Sequence, residues 1–342
     1  MLTFFVRRLL AAVPAICTLV VATFLIMRVL PGDPAVFFAS GPVPTAEETA
    51  YVRQKLGLDR SVPEQLLIYV KDIGRADLGM SFTTGRPVLT ELRERLPASL
   101  ELAVTALLLA LVISIPLGVA AAIWRGSPVD HLARVISSIG VSMPTFVTGL
   151  LLTYVFFLWL GLAPEPVDRI DMFIAAPPRL TGFLLIDSSL SGRWDALQSA
   201  AGRLVLPSIT MAIFVLSPLT RMTRSAMLGV LSSDFVRTAR AMGLSDVTVY
   251  IRYALRNALL PVLTTMGIVF STMLGSNVLV ERVFGWPGIG SFALNALLIG
   301  AVQHVVLAGE AAGRFAGLEL TSAKDWERIE QAAKRLVRGV YP

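Results

Sequence analysis

Five stretches of this chain stay apolar for about 20 residues at a time, and that length decides what the chain can fold into. A helix of about 20 residues crosses a hydrocarbon core of about 30 Å, where each backbone N–H and C=O must find its partner inside the protein. The stretches cover residues 9–30, 99–123, 135–162, 204–219 and 259–280, with a weaker candidate at 291–308. Hydrophobic residues make up 55% of the 342 and charged ones 16%, with a mean hydropathy of +0.70, which excludes a soluble domain of this size. The expected fold class is an all-α membrane protein, a polytopic bundle of five to six transmembrane helices.

Charge then orients the bundle. Arg7 and Arg8 precede an apolar run too long for a signal-peptide core, so residues 1–30 read as an uncleaved first span with a cytosolic N-terminus. Residues 31–97 hold about as many acids as bases and form an outer cap segment, with helix-like pieces at 46–56 and 63–73. The link 124–134 falls inside, and 163–203, rich in proline and glycine, reads as an irregular outer loop. Residues 221–256 carry six arginines against Asp234 and Asp246, the strongest positive-inside signal of the chain. The net charge of +6 is therefore a topology signal and not a nucleic-acid footprint, and membrane lipid is the expected surrounding. The single Cys17 lies within the first span and builds neither a disulfide framework nor a metal cluster.

The segment 232–261 reads as helix, glycine turn, helix. Gly243 after a helical run permits the left-handed turn that ends one helix and redirects the next. Asp234 is placed to cap the first helix, and Arg237 and Arg240, three apart, share a face that could meet acidic groups of a partner. A blander account has these arginines serve topology and lipid headgroups only. Prolines at 14, 116, 144, 207 and 218 bend or break spans locally. Catalytic constellations are missing: none of the four lysines follows a glycine, so no phosphate-cradling loop exists, and His131 and His304 lack metal-ligand spacing. No G-x-S-x-G elbow appears, and Glu101, near a span end, is the acid closest to the membrane interior.

The run Asp234-Phe235-Val236-Arg237-Thr238-Ala239-Arg240-Ala241-Met242-Gly243-Leu244-Ser245 resembles the signature loop of binding-protein-dependent ABC transporter permeases, in the dipeptide and oligopeptide variant. Arg237, Thr238 and Ala239 stand where the general family has Glu-Ala-Ala, as the peptide-type branch allows. Further matches follow in order: Leu30 to Pro34, Leu56 to Asp59, Asp77 to Gly79, Leu96 to Leu102, Ser142 to Phe146, Leu206 to Ser208 and Val280 to Gly290. The resemblance covers roughly residues 1–300 and implies a bacterial inner-membrane import subunit, not itself an enzyme and without cofactors. It also implies partners: a second homologous permease, ATP-binding cassette ATPases that hydrolyse the ATP, and an extracytoplasmic solute-binding protein. Coupling to the ATPase then falls to Asp234, Arg237, Thr238, Ala239, Arg240, Gly243 and Leu244.

Met143, Pro144, Thr145 and Phe146, with Ser271, Ser276 and Asn277, are candidate linings of the solute route, since small and polar groups at bilayer depth face protein or water. For Gly275 and Ser276 the preferred reading is a close packing contact between helices. The permease core is expected at 98–309, with its cytosolic coupling loop at 221–258. The sixth span is cut short, and 310–342 forms an atypical polar tail in which Ser322 and Asp325 have capping-box spacing, an end of the kind a truncated, frameshifted or fused frame produces. The competing classes are an ion-gradient transporter, which would need charges buried in spans and an inverted repeat, and a membrane-embedded enzyme. The sequence displays neither pattern.

Overall fold

The computed structural model describes residues 2–29, 35, 45–55, 57–81 and 83–298. Among them the chain is helical, with one isolated bridge between Met80 and Pro87 and no strand. The described residues divide into two compact units, those up to Glu91 with 295–298, and Leu92–Leu294.

In the first unit, α1 spans Leu2–Val29, α2 Ala46–Lys55 and α3 Val62–Gly74. Thr45 and Glu48 cap α2 reciprocally: the Glu48 N–H donates to Thr45 Oγ1 at 3.2 Å and the Thr45 N–H to Glu48 Oε2 at 3.0 Å. Ser61 opens α3, its N–H donating to Glu64 Oε2 at 3.3 Å, with Pro63 in the first turn where a missing N–H costs nothing. Phe24 of α1 meets Tyr69 of α3 with ring centroids 5.6 Å apart. Cys17 is a free, exposed thiol.

In the second unit, α4 (Val88–Ile123, starting in the first unit), α5 (Pro128–Ser142), α6 (Thr145–Thr153, running on as a π-helical turn over Tyr154–Trp159), α7 (Leu184–Leu190) and α8 (Trp194–Leu231) follow in turn. Then come α9 (Asp234–Ala241), a π-helical stretch Thr248–Leu255 continuing as α10 (Arg256–Val283), and α11 (Ile289–Leu298). Val88–Ile123, Trp194–Leu231 and Thr248–Val283 are each long and apolar enough to cross a membrane.

The 38-residue α8 is the spine, touched by α5, α6, α7 and α10. Leu204, Met211, Val215 and Leu219 of α8 are buried with Leu102 and Ala106 of α4 and Val262 and Met273 of α10. Two glycines permit the closest approaches. A Cβ on Gly118 would lie 2.6 Å from Thr223 Cβ, and one on Gly140 would lie 2.4 Å from the Ile213 carbonyl oxygen. At these crossings backbones pack where side chains would keep them apart.

Two expectations change here. The third span, read as continuous over 135–162, is broken: α5 ends at Ser142, Met143 is extended (φ −113°, ψ 136°), and α6 starts after Pro144. Proline disfavours the helical conformation in the residue before it and offers no N–H to continue the ladder. The segment 163–203, expected as an irregular outer loop, contains α7 and is stapled by arginines. Arg179 donates to the Arg93 and Glu94 carbonyls at 2.9 and 2.8 Å, Arg193 to the Ala175 carbonyl at 3.1 Å, and Arg203 to Asp171 at 3.0 Å. The Phe173 N–H and Arg203 beside Asp171 hold its carboxyl below the usual range. Of the sixth-span candidate, α11 is described, whereas its remainder and the tail 310–342 lie outside the described residues.

Candidate docking segment and solute route

The Arg-rich segment folds as a knob. Ser233 is the N-cap residue of α9 in extended conformation, so Asp234, expected as the cap, is instead the first helical residue. There it is an acid in the first turn, where the positive helix end favours it, and it pairs with Arg237 at 3.3 Å with both side chains exposed. The helix closes through a double turn: the Leu244 N–H donates to the Ala239 carbonyl at 3.3 Å and the Gly243 N–H to the Arg240 carbonyl at 2.9 Å. That pairing needs a left-handed residue at its corner, and Gly243 has φ +75°. Ser245 opens the next helix by accepting from the Thr248 N–H at 3.4 Å.

A small apolar cluster pins the knob to its neighbours. Val236 and Ala239 of α9 and Val249 of the π-helical stretch are buried together against Val230 and Leu231 of α8 and against Tyr250. Arg240 lies over the Tyr250 ring at 5.8 Å, whereas Arg237 points outward with 80% of its side chain exposed. The two arginines expected to share a face thus do different things. Thr238 donates to the Asp234 carbonyl at 3.0 Å and stays on the surface. Phe235, Met242, Leu244 and Val247 are exposed around the turn, so the knob presents apolar side chains beside its charges.

The route candidates fall on two separate stretches. Met143 and Pro144 form the α5–α6 break, Thr145 is half-buried and Phe146 exposed, and Met143 sits at the end of an open, shallow groove of about 500 Å³ along one face of α5, lined by His131, Arg134, Val135, Ser138 and Ser142. On α10, Ser271 is exposed, Ser276 half-buried and Asn277 buried. Gly275, read as a close helix contact, has nothing within 4 Å of a Cβ built on it among the described residues.

Asn277 belongs to a buried polar network at the far end of α10. Its Nδ2 donates to Glu281 Oε1 at 2.9 Å, and Ser99 Oγ donates to the same oxygen at 2.5 Å. The Ser291 N–H reaches Oε2 at 2.8 Å, and the Ile289 N–H donates to Ser99 Oγ at 2.9 Å. Gly288 is packed so closely that a Cβ there would lie 2.1 Å from Oε1. Trp286, 2% exposed, donates its indole N–H to the Ala98 carbonyl at 2.9 Å. Nearby, Glu101 accepts from Arg169 and from the Leu185 N–H at 2.8 Å. The Phe284–Gly288 loop and the start of α11 are thereby sewn onto the start of the apolar part of α4.

Comparison with known proteins decides the family. The profile of the binding-protein-dependent transport system inner membrane component matches residues 114–313, and that of its N-terminal part matches residues 1–103. The chain belongs to this family. Among its relatives, the protein named "Probable D,D-dipeptide transport system permease protein" of Escherichia coli (strain K12) is 43% identical over 81% of both chains. The di/tripeptide transport system permease of Pseudomonas aeruginosa (strain UCBPP-PA14) is 41% identical over 87% of this chain and 88% of its own. The glutathione transport system permease of Salmonella typhimurium (strain LT2) is 35% identical over 87% of each.

The protein is thus a multi-pass permease subunit of a bacterial binding-protein-dependent ABC importer, resident in the inner membrane. Two features of this permease escape a linear reading. Glu281 reads from sequence as the first residue of an outer loop, yet it is 1% exposed because Ser99 arrives from 182 residues away. Asp130 and Arg224 read as ordinary loop charges and are paired across 94 residues. Only the recurrence of Gly288 and Gly290 just after Glu281 hints that something packs there.

Proposed function

We propose that this chain is the membrane subunit of an importer of short peptides, with the α9 knob as the seat of a nucleotide-binding subunit on the cytosolic side. The observation that carries the proposal is the construction of the knob. It is immobilised by a buried cluster and a glycine-cornered turn, yet it displays Phe235, Met242 and Leu244 beside Arg237 outside the apolar part of the helices. Exposed apolar groups at a fixed site favour a partner surface over lipid headgroups alone. ATP hydrolysis belongs to the partner chains, and closure on ATP displaces the knob.

The solute passes between this subunit and a second, similar permease, arriving from an extracytoplasmic binding protein, along linings that include Met143 to Phe146, Ser271 and Ser276. Five or six spans with an N-terminus inside and residues 31–97 outside fit the distribution of arginine. Peptides are the preferred solute class because the relatives are named for dipeptides, di/tripeptides and glutathione.

Purification of the tagged full chain from its native membrane tests this reading. Recovery of a second permease and ATPase subunits is expected, and loss of the ATPase alone on charge reversal at Arg237 together with Leu244→Asp. Unchanged ATPase recovery from that variant would remove the knob from the docking role.

A further inference from the structure

One ion pair near the knob is used neither by the docking segment nor by the route. Asp130, 1% exposed, stands in the first turn of α5, three residues after the N-cap Ser127. Arg224 of α8 grips it with two hydrogen bonds, Nε to Oδ1 at 2.7 Å and Nη2 to Oδ2 at 2.9 Å. The Gly126 N–H adds a third at 3.0 Å, and Arg134 Nε lies 3.7 Å from Oδ1. Paired parallel hydrogen bonds between planar groups fix direction as well as distance, which a single point contact between charges does not. The pair therefore holds the start of α5 in one orientation against α8.

Its position gives that rigidity a use. Arg224 lies about two helical turns before Leu231, where α8 ends. Leu231 and Val230 are part of the cluster that pins Val236 and Ala239 of the knob. A displacement of α9 thus reaches Arg224 through packed side chains and unbroken helix. From Asp130 onward, α5 buries Ala133 and Gly140, the latter on the Ile213 carbonyl of α8, and its other face lines the groove that ends at Met143. At Met143 and Pro144 the helical ladder stops, so α5 can follow α8 without pulling α6 along.

We infer that Asp130 and Arg224 are positioning residues that clamp α5 to α8, so that the groove-lining helix and the docking knob move as one body. The inference rests on the docking role proposed for α9. It assigns the moving wall of the solute route to α5 and places the hinge at Ser142 to Pro144.

The test measures the distance between spin labels at Leu132→Cys, on the exposed face of α5, and Asp246→Cys, exposed just after the Gly243 turn and outside the docking residues, in a Cys17→Ser background. It is run on the full chain alone and on the chain with its co-purified partners, with and without ATP. One narrow distance distribution is expected in every state. Asp130→Asn, which keeps the shape and removes the charge, should at least double its width and separate the ATP-free from the ATP-bound distances. Arg224→Lys, which keeps the charge and loses the paired geometry, should fall between. Wild-type widths in both variants, even with a lowered thermal midpoint, would reduce the pair to a structural contact and overturn the inference. The chain measured alone needs no partner, so failure to recover an ATPase would count against the docking role while leaving the clamp tested.

Discussion

A single backbone angle decides whether the knob can form. Gly243 sits at φ +75°, where a side chain costs about 1–2 kcal/mol, and nothing within 4 Å of a built Cβ would add a clash. Gly243→Val should therefore leave the amount of chain in the membrane unchanged while lowering solute uptake per ATP hydrolysed, measured in vesicles holding the complex. Glu281 carries a different kind of weight, because three donors converge on its carboxylate. Glu281→Leu strands buried donors at about 1–3 kcal/mol each, so the thermal midpoint in detergent should fall by several degrees, and by less for Glu281→Gln. Asp130 sets the pH response of the Arg-rich end. The Arg224 guanidinium, with the Gly126 N–H, holds its carboxyl well below the usual carboxylate range. A depressed folded value contributes stability above the unfolded pKa of about 3.9 and loses it only as pH falls toward the folded value. The difference in thermal midpoint between wild type and Asp130→Asn should accordingly be the same at pH 8 and pH 5, and a difference that shrinks across that range would contradict the pairing.

At the scale of elements, Gly118 and Gly140 set how closely α4 and α5 approach the spine α8. Gly140→Leu would drive carbons into the Ile213 carbonyl and push α5 off α8, an overpacking cost of about 1–3 kcal/mol or more. Gly267→Ala on α10 meets nothing within 4 Å and should be neutral or slightly stabilising. Thermal unfolding of the two variants side by side checks both expectations. Helices α2 and α3 and the knob were legible from local signals, namely helix-like pieces at 46–56 and 63–73 set off by turn residues, and Gly243 after a helical run. The break at Met143 was less so: Pro144 was visible, but bilayer helices commonly tolerate a proline, and α8 itself runs through Pro207 and Pro218. What separates the cases is that Met143 adopts an extended conformation, and one proline in a sequence does not announce that.

For the whole molecule, the proposed topology puts Met172, 87% exposed in the stapled loop, and Met242 on opposite sides of the membrane. In a Cys17→Ser background, Met172→Cys should react with an impermeant maleimide in intact spheroplasts and Met242→Cys only after lysis; the reverse pattern would invert the bundle. The amino-acid sequence by itself determined that the protein is a helical membrane bundle, which loop is arginine-rich, and where the helix in that loop turns. Those properties depend on runs of apolar residues and on turn and cap residues a few positions apart, so they are written locally. Only the tertiary structure decided which charges are buried together. Glu281 meets Ser99, Arg224 meets Asp130 and Arg169 meets Glu101 because helices far apart in the chain cross there, and a linear pattern shows a polar residue without showing the distant group that will satisfy it.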